Sequence, residues 1–333
     1  MLRVGLDVSP LALTRAGTAR YVTNLLAGLE RDSSLELLRY AWGGPGRLTR
    51  IARDTVWYPA ALPRAAKRDR LDVLHCPTQR APFRSRLPLV VTIHDLAVLR
   101  HPEAFNRWTR SYSTFTLPRV ARAARRIIVG SEFTRAEVIE LLSVPAEKLR
   151  VIPYGVGEPF KADGPASGGD FVLAVSTLEP RKNLDRLIDG FHRADLRGLE
   201  LRVVGAPGWG GVRVNGEGVR WLTGIGDDEL ARLYRGAACV AYVSLYEGFG
   251  LPVLEAMASG APVVAPAGPP FQEFAADVAV GVDPRDASSI AAGLREAVER
   301  RSELAPLGPQ RAREYSWERA AEAHLEVYRE AAA

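Results

Sequence analysis

A chain of 333 residues, 47% apolar and 25% charged, has the composition of a globular protein and length enough for two domains. It offers no run of about 18 apolar residues, which excludes a transmembrane helix. Its two cysteines, Cys76 and Cys239, exclude a disulfide scaffold and a cysteine metal site, and read as buried filler in a reducing cytosol. Charge is uneven: residues 1–165 carry 26 Lys/Arg against 15 Asp/Glu, and the remainder carries 18 against 24. Such asymmetry suggests a different partner for each half. Arginine clusters at 64–70 and 119–126 read either as solvated faces or as attraction to an anionic membrane surface. Nucleic acid is set aside, because no aromatic-interleaved basic motif or zinc spacing accompanies them.

Taken in chain order, strands are expected at 3–8, 73–76, 89–94, 126–130 and 150–153, with helices at 19–31, 110–124 and 134–143 between them. The opening "MLRVGLDVSP" reads as a strand and not as a signal peptide, so a cytoplasmic location is expected. The stretch "KADGPASGGD" (161–170) lacks apolar periodicity and reads as a linker. Alternation then resumes: strands at 171–176, 199–205, 219–224, 239–244, 261–266 and 278–283, and helices at 182–194, 227–237, 252–259 and 286–301. Strands alternating with helices argue for parallel sheets covered on both faces. A last helix, 317–332, needs a surface on which to bury Leu325, Val327 and Tyr328.

Two stretches carry chemistry. In "SLYEGFGLPVLEAMASG" (244–260) Glu247 stands in a glycine loop at a strand's carboxyl end, and Glu255 one turn into the next helix. Pro252 suits a helix start and Gly260 a helix stop. Gly248 and Gly250 admit a close ligand, and the helix N-terminus favours an anion. A carboxylate beside an anion is costly unless it accepts hydroxyls, so the layout fits a phosphorylated, sugar-bearing ligand. In "STLEPRKNLDRL" (176–187) Arg181 and Lys182 precede a helix, against the macrodipole's preference, and are placed to neutralise a diphosphate. His94 ends an apolar strand beside Asp95, and His75 ends another. No histidine pair has metal-ligand spacing and no Asp-x-Asp occurs, so no metal and no cofactor are expected.

"EGFGLP" followed by Glu255, with "EPRKN" upstream, resembles glycosyltransferase family 4, the retaining nucleotide-sugar transferases of the GT-B fold. Further segments resemble the family in order: 15–26, 92–105, 151–156, 203–211 and 222–237. The resemblance implies an α/β GT-B architecture. Residues 1–163 would form an acceptor-binding Rossmann-like domain and 164–316 a nucleotide-sugar-binding one, facing across a cleft. Residues 317–333 would form a helix packing back on the first domain. It implies that Arg181 and Lys182 bind the diphosphate and Glu255 the ribose. Glu247, with the backbone of Gly248, Phe249, Gly250 and Leu251, would hold the hexose. Gly17 would approach the phosphate or acceptor, His94 the transferred sugar, and Thr223, Gly224 and Ile225 the base. The family often has glycine where Ala19 stands and asparagine where Tyr154 stands, so the acceptor-side loops are expected to differ.

The expected reaction moves a hexose, mannose from GDP-mannose being the leading donor, to a saccharide or lipid-linked acceptor of the cell envelope. UDP-glucose and dTDP-rhamnose are the alternative donors. A non-catalytic sugar-nucleotide-binding protein is the alternative of another class, against which the intact Arg181, Lys182, Glu247 and Glu255 argue, and an isomerase or epimerase would need an acid–base pair that is not found.

Overall fold

The computed structural model describes residues 1–13, 17–44, 46–85 and 87–333, with Arg47 described by its backbone alone. Arg15 and Ala16, which open the family-like segment 15–26, lie outside the described residues. The chain divides into two units, Met1–Gly155 with Trp317–Ala333, and Val156–Ser316. The break therefore comes at Gly155 and not at 163/164. The reason is local: Lys161–Asp170 is strapped to the helix Asp227–Gly236. The Arg235 guanidinium donates to the carbonyls of Pro165 (2.8 Å) and Lys161 (3.0 Å), and the Ser167 amide donates to the Arg232 carbonyl (3.0 Å). A Pro/Gly-rich stretch without apolar periodicity can thus be held by its backbone alone.

The first unit is a six-stranded sheet of β1 (Leu2–Asp7), β2 (Leu35–Tyr40), β3 (Val73–Cys76), β4 (Leu89–Ile93), β5 (Arg126–Val129) and β6 (Leu149–Val151). Every pairing is parallel and the order is β2-β1-β3-β4-β5-β6. Leu89–Ile93 is buried throughout, the mark of a strand covered on both faces. Cys76 lies in this core, as expected.

The helix Trp317–Ala332 buries Leu325, Val327 and Tyr328. It also carries polar side chains into the sheet. His324 Nδ1 lies 2.6 Å from the Ala320 carbonyl, which can only accept, so Nδ1 bears the proton. Its Nε2 must then accept from the Tyr21 hydroxyl, 2.7 Å away. Tyr21 in turn accepts from Thr92 (3.0 Å), Thr92 from His75 Nε2 (2.9 Å), and His75 Nδ1 from the Tyr328 hydroxyl (2.7 Å). One carbonyl thus orders five hydrogen bonds, all through neutral groups. Burial holds His324 at about 4 and lowers His75 well below the usual histidine value.

The second unit repeats the plan with β7 (Phe171–Val175), β8 (Glu200–Val204), β9 (Val219–Leu222), β10 (Cys239–Ala241), β11 (Val263–Pro266) and β12 (Ala279–Val282). Its order is β12-β11-β10-β7-β8-β9, again parallel. Counted from its own first strand this is 3-2-1-4-5-6 read from the other edge, the dinucleotide-binding order. One face is covered by Leu184–Ala194 and Ala287–Glu299, which approach where Gly190 leaves no room for a Cβ against Ile290. Among the described residues no helix is long and apolar enough to cross a membrane.

Candidate functional site

In open parallel sheets, ligands bind beyond the carboxyl ends of the strands where the strand order reverses. In the second unit that point lies between β7 and β10. The loops leaving these two strands are those singled out in the sequence. After β7, Pro180–Lys182 makes a single 3-10 turn and Asn183 takes a left-handed conformation (φ 61°) before the helix Leu184–Ala194. Asn183 tolerates it and uses its amide to bind the carbonyls of Val243 (3.0 Å) and Pro284 (2.6 Å). After β10, the Leu245 amide donates to the Arg181 carbonyl (2.8 Å), so the two loops are stitched together.

That stitching brings Arg181, Lys182 and Glu247 into one cluster. Glu247 Oε1 accepts from Lys182 Nζ (2.6 Å), Ser244 Oγ (2.6 Å) and Tyr242 OH (3.0 Å), and lies 3.1 Å from Arg181 Nη1. Arg181 also donates to the Tyr246 carbonyl (2.9 Å) and pairs through Nη2 with Glu179 Oε1 (3.0 Å). Burial would raise the Glu247 carboxyl, but the charges of Arg181 and Lys182 and the hydrogen bonds from Lys182 and Ser244 hold it at about 2. Glu247 is therefore an anion at any physiological pH and a poor general base. Burial lowers Lys182 despite the Glu247 charge, and raises Tyr242 well above the usual phenol range.

The glycine loop runs directly into the helix Leu251–Ala258. Gly250 has φ 107°, and a Cβ there would meet the Phe271 ring at 2.5 Å. The Phe249 ring stacks on Phe274 (4.9 Å between centroids), so Phe249 offers a ligand its backbone. The helix starts at Leu251 with Pro252 in its first turn. It ends in the left-handed cap expected of Gly260 (φ 75°), where the amides of Gly260 and Ala261 return to the carbonyls of Met257 and Ala256 (both 3.0 Å). Glu255 is buried one turn in, about 6 Å along the axis, with Tyr234 OH 3.3 Å from its Oε2. Thr223, Gly224 and Ile225 follow β9, two strand spacings or roughly 10 Å from β7, in the exposed turn before Asp227.

Gly17 and His94 belong to the first unit, both at the carboxyl edge of its sheet. Gly17 is exposed and opens the helix Gly17–Leu29 after β1. His94 follows β4 and is half-buried. Its Nε2 lies 2.9 Å from the Pro77 carbonyl and its Nδ1 2.6 Å from the Tyr154 hydroxyl. The carbonyl sets the proton on Nε2, so Tyr154 donates to Nδ1 and the ring is neutral. Burial lowers its basicity, opposed by Asp95 and the Pro77 carbonyl.

Sequence reading missed Glu179, Tyr242 and Ser244. The last two are readable in hindsight, because their i, i+2 spacing puts both hydroxyls on one side of an extended chain. Glu179 opens the quoted "EPRKN" stretch, but its sequence position points to no partner for its side chain.

A family model described as Glycosyl transferases group 1 matches residues 158–314, and one described as Glycosyltransferase Family 4 matches 15–157. O-antigen chain mannosyltransferase B of Escherichia coli is 29% identical over 79% of this chain and 76% of its own length. The D-inositol 3-phosphate glycosyltransferase of Actinosynnema mirum is 30% identical over 74% and 67%. Among solved structures, sucrose-phosphate synthase from Thermosynechococcus elongatus superposes with a TM-score of 0.80 over 99% of both chains at 20% identity, a likeness of GT-B fold.

Proposed function

Since the chain belongs to glycosyltransferase family 4, the glycosyl transferases of group 1, and is a sugar-transferring enzyme, we propose that it moves a hexose from a nucleotide sugar to an acceptor hydroxyl, with retention and without a metal. The single observation that carries this reading is the Arg181–Lys182–Glu247 cluster at the strand-order reversal of the second unit. The two cations receive the diphosphate. As the bond from the anomeric carbon to phosphate breaks, charge grows on the leaving oxygen, and Arg181, Lys182 and the helix start at Leu251 stabilise it. Glu247 and the Gly248–Leu251 backbone grip the hexose hydroxyls, Glu255 the ribose, and Thr223–Ile225 the base. Glu247 is too weak a base to take the hydroxyl proton, so the departing phosphate oxygen receives it as the acceptor oxygen bonds to the same face. The first unit takes the acceptor, with Gly17 and His94 at its carboxyl edge as the candidate contacts.

Mannose from GDP-mannose is the donor we favour, because the Escherichia coli relative is named a mannosyltransferase. UDP-glucose and dTDP-rhamnose are the competitors. The test is to incubate the protein with each donor and follow slow release of nucleoside diphosphate. Release from one donor alone identifies it; release from none, with or without saccharide acceptors, leaves a sugar-nucleotide-binding protein that does not catalyse.

A lipid-linked acceptor would bring the first unit to an anionic membrane face. The helix Arg107–Ala123 carries Arg107, Arg110, Arg119 and Arg122, no acidic residue, and the half-exposed Trp108 and Phe115, as an interfacial helix does. Sedimentation with anionic but not zwitterionic vesicles, weakened by salt, is the expected result. Equal sedimentation with both, or with neither, contradicts this placement.

A further inference from the structure

We propose that Glu179 is a positioning residue for the donor: its carboxylate aims Arg181 and competes with the diphosphate for it. The inference rests on the reading that Arg181 meets the diphosphate.

Glu179 is 2% exposed, at the turn that leaves β7. Its Oε1 accepts from Thr177 Oγ1 (3.1 Å) and pairs with Arg181 Nη2 (3.0 Å). Its Oε2 is buried and meets no hydrogen-bond donor among the described residues. A buried carboxylate oxygen without a donor is unfavourable. A glutamine would serve Thr177 and Arg181 through its carbonyl oxygen and would bury its NH2 without a partner in the place of Oε2, so neither residue satisfies every polar atom here and hydrogen bonding alone does not select glutamate. What glutamate adds is a full negative charge against the guanidinium.

The turn is also firmly seated. A Cβ on Gly205 would lie 1.8 Å from the Ser176 carbonyl oxygen, on Gly208 2.2 Å from that of Leu178, and on Gly210 2.5 Å from the Pro180 ring. Three glycines of "GAPGWG" thus lie against alternate residues of Ser176–Pro180, and the Leu178 amide donates to the Ala206 carbonyl (3.1 Å). The glycine-rich loop after β8 therefore forms the bed on which Glu179 and Arg181 are placed.

The consequence is electrostatic. With Glu179 and Glu247 opposite Arg181 and Lys182, the cluster is neutral before the ligand arrives. The nucleoside diphosphate product carries more negative charge than the donor diester, and a site with two uncompensated cations would retain it. Glu179 offers Arg181 a returning partner and so lets the product leave.

The experiment is calorimetric titration of GDP and UDP into wild type, Glu179→Gln, Thr177→Val and Arg181→Ala. Glu179→Gln is expected to bind the diphosphate about fivefold tighter, the size of one lost charge interaction, and to be more strongly inhibited by it as product. Thr177→Val removes the neighbouring hydroxyl but keeps the charge, and is expected to stay within about twofold of wild type. A merely structural role predicts the opposite sign, weaker binding in Glu179→Gln. Weaker or unchanged binding in Glu179→Gln, or an equal gain in Thr177→Val, overturns the inference. Wild-type binding that Arg181→Ala leaves intact would instead overturn the reading of the diphosphate site.

Discussion

Two buried polar networks, one in each unit, are built in opposite ways. In the second, Arg181 and Lys182 pair with Glu179 and Glu247 and crowd onto two carboxylate oxygens. In the first, His75, Tyr21, Thr92, His324 and Tyr328 are neutral and pass hydrogen bonds in a single direction that ends on a backbone carbonyl. Charges are tolerable in a buried site when a charged ligand is to meet them. A helix that must stay docked is better held by groups that need no counter-ion.

The sharpest way to break this contrast is to remove Arg181. Turnover in Arg181→Ala should fall roughly 10²–10³-fold, as for other lost electrostatic donors at a leaving group. Turnover within about threefold of wild type would remove Arg181 from the chemistry.

Acid should separate the units next. His324 titrates near 4 in the folded chain against an ordinary 6.5, so below about 6.5 the unfolded chain binds protons that the folded one refuses. The first unit should lose on the order of 3 kcal/mol from this group as pH falls from about 6.5 towards 4. Glu247 is held at about 2 against an ordinary 4.5, so its contribution is complete above about 4.5 and lost as pH falls towards 2. Hydrogen exchange followed against pH should therefore show the helix Trp317–Ala332 loosening before the turns at Arg181 and Glu247. The reverse order would contradict the assignment of neutral and charged networks.

Cutting the neutral chain in its middle tests it directly. Tyr21→Phe leaves His324 Nε2 without its donor and should cost about 1–3 kcal/mol in urea unfolding. A cost near zero would mean that the ordered hydrogen bonds do not hold the helix. The smallest effect is expected at the helix stop, where Gly260→Ala, at φ 75°, should cost about 1 kcal/mol of thermal stability, with no change in donor affinity.

What was legible beforehand follows from what is local. The apolar runs of β3, β4 and β7 and the helix at Trp317 could be read because their periodicity is written within one element. β2 escaped notice because Glu36 and Arg39 interrupt an edge strand that is only partly buried. The helical stretch after Arg47 escaped notice because Pro59 and Pro63 argue against a helix and its apolar residues keep no clean period. Arg181, Lys182 and Glu247 were legible as loop residues of the wrong charge for their places. Glu179 was not, since its significance depends on Arg181 turning back to it and on a glycine bed contributed by another loop. The histidine–tyrosine chain was equally hidden, because His75 and Tyr328 are 253 positions apart.

The central claim is that a cationic pair at the reversal between β7 and β10 holds a diphosphate without a metal. Its most direct test is to titrate GDP and UDP into the protein in EDTA, and again into Lys182→Met. We expect wild type to bind one of them in EDTA as tightly as in magnesium, and Lys182→Met to lose at least about tenfold. Binding that needs added magnesium, or that Lys182→Met leaves unchanged, would contradict the account.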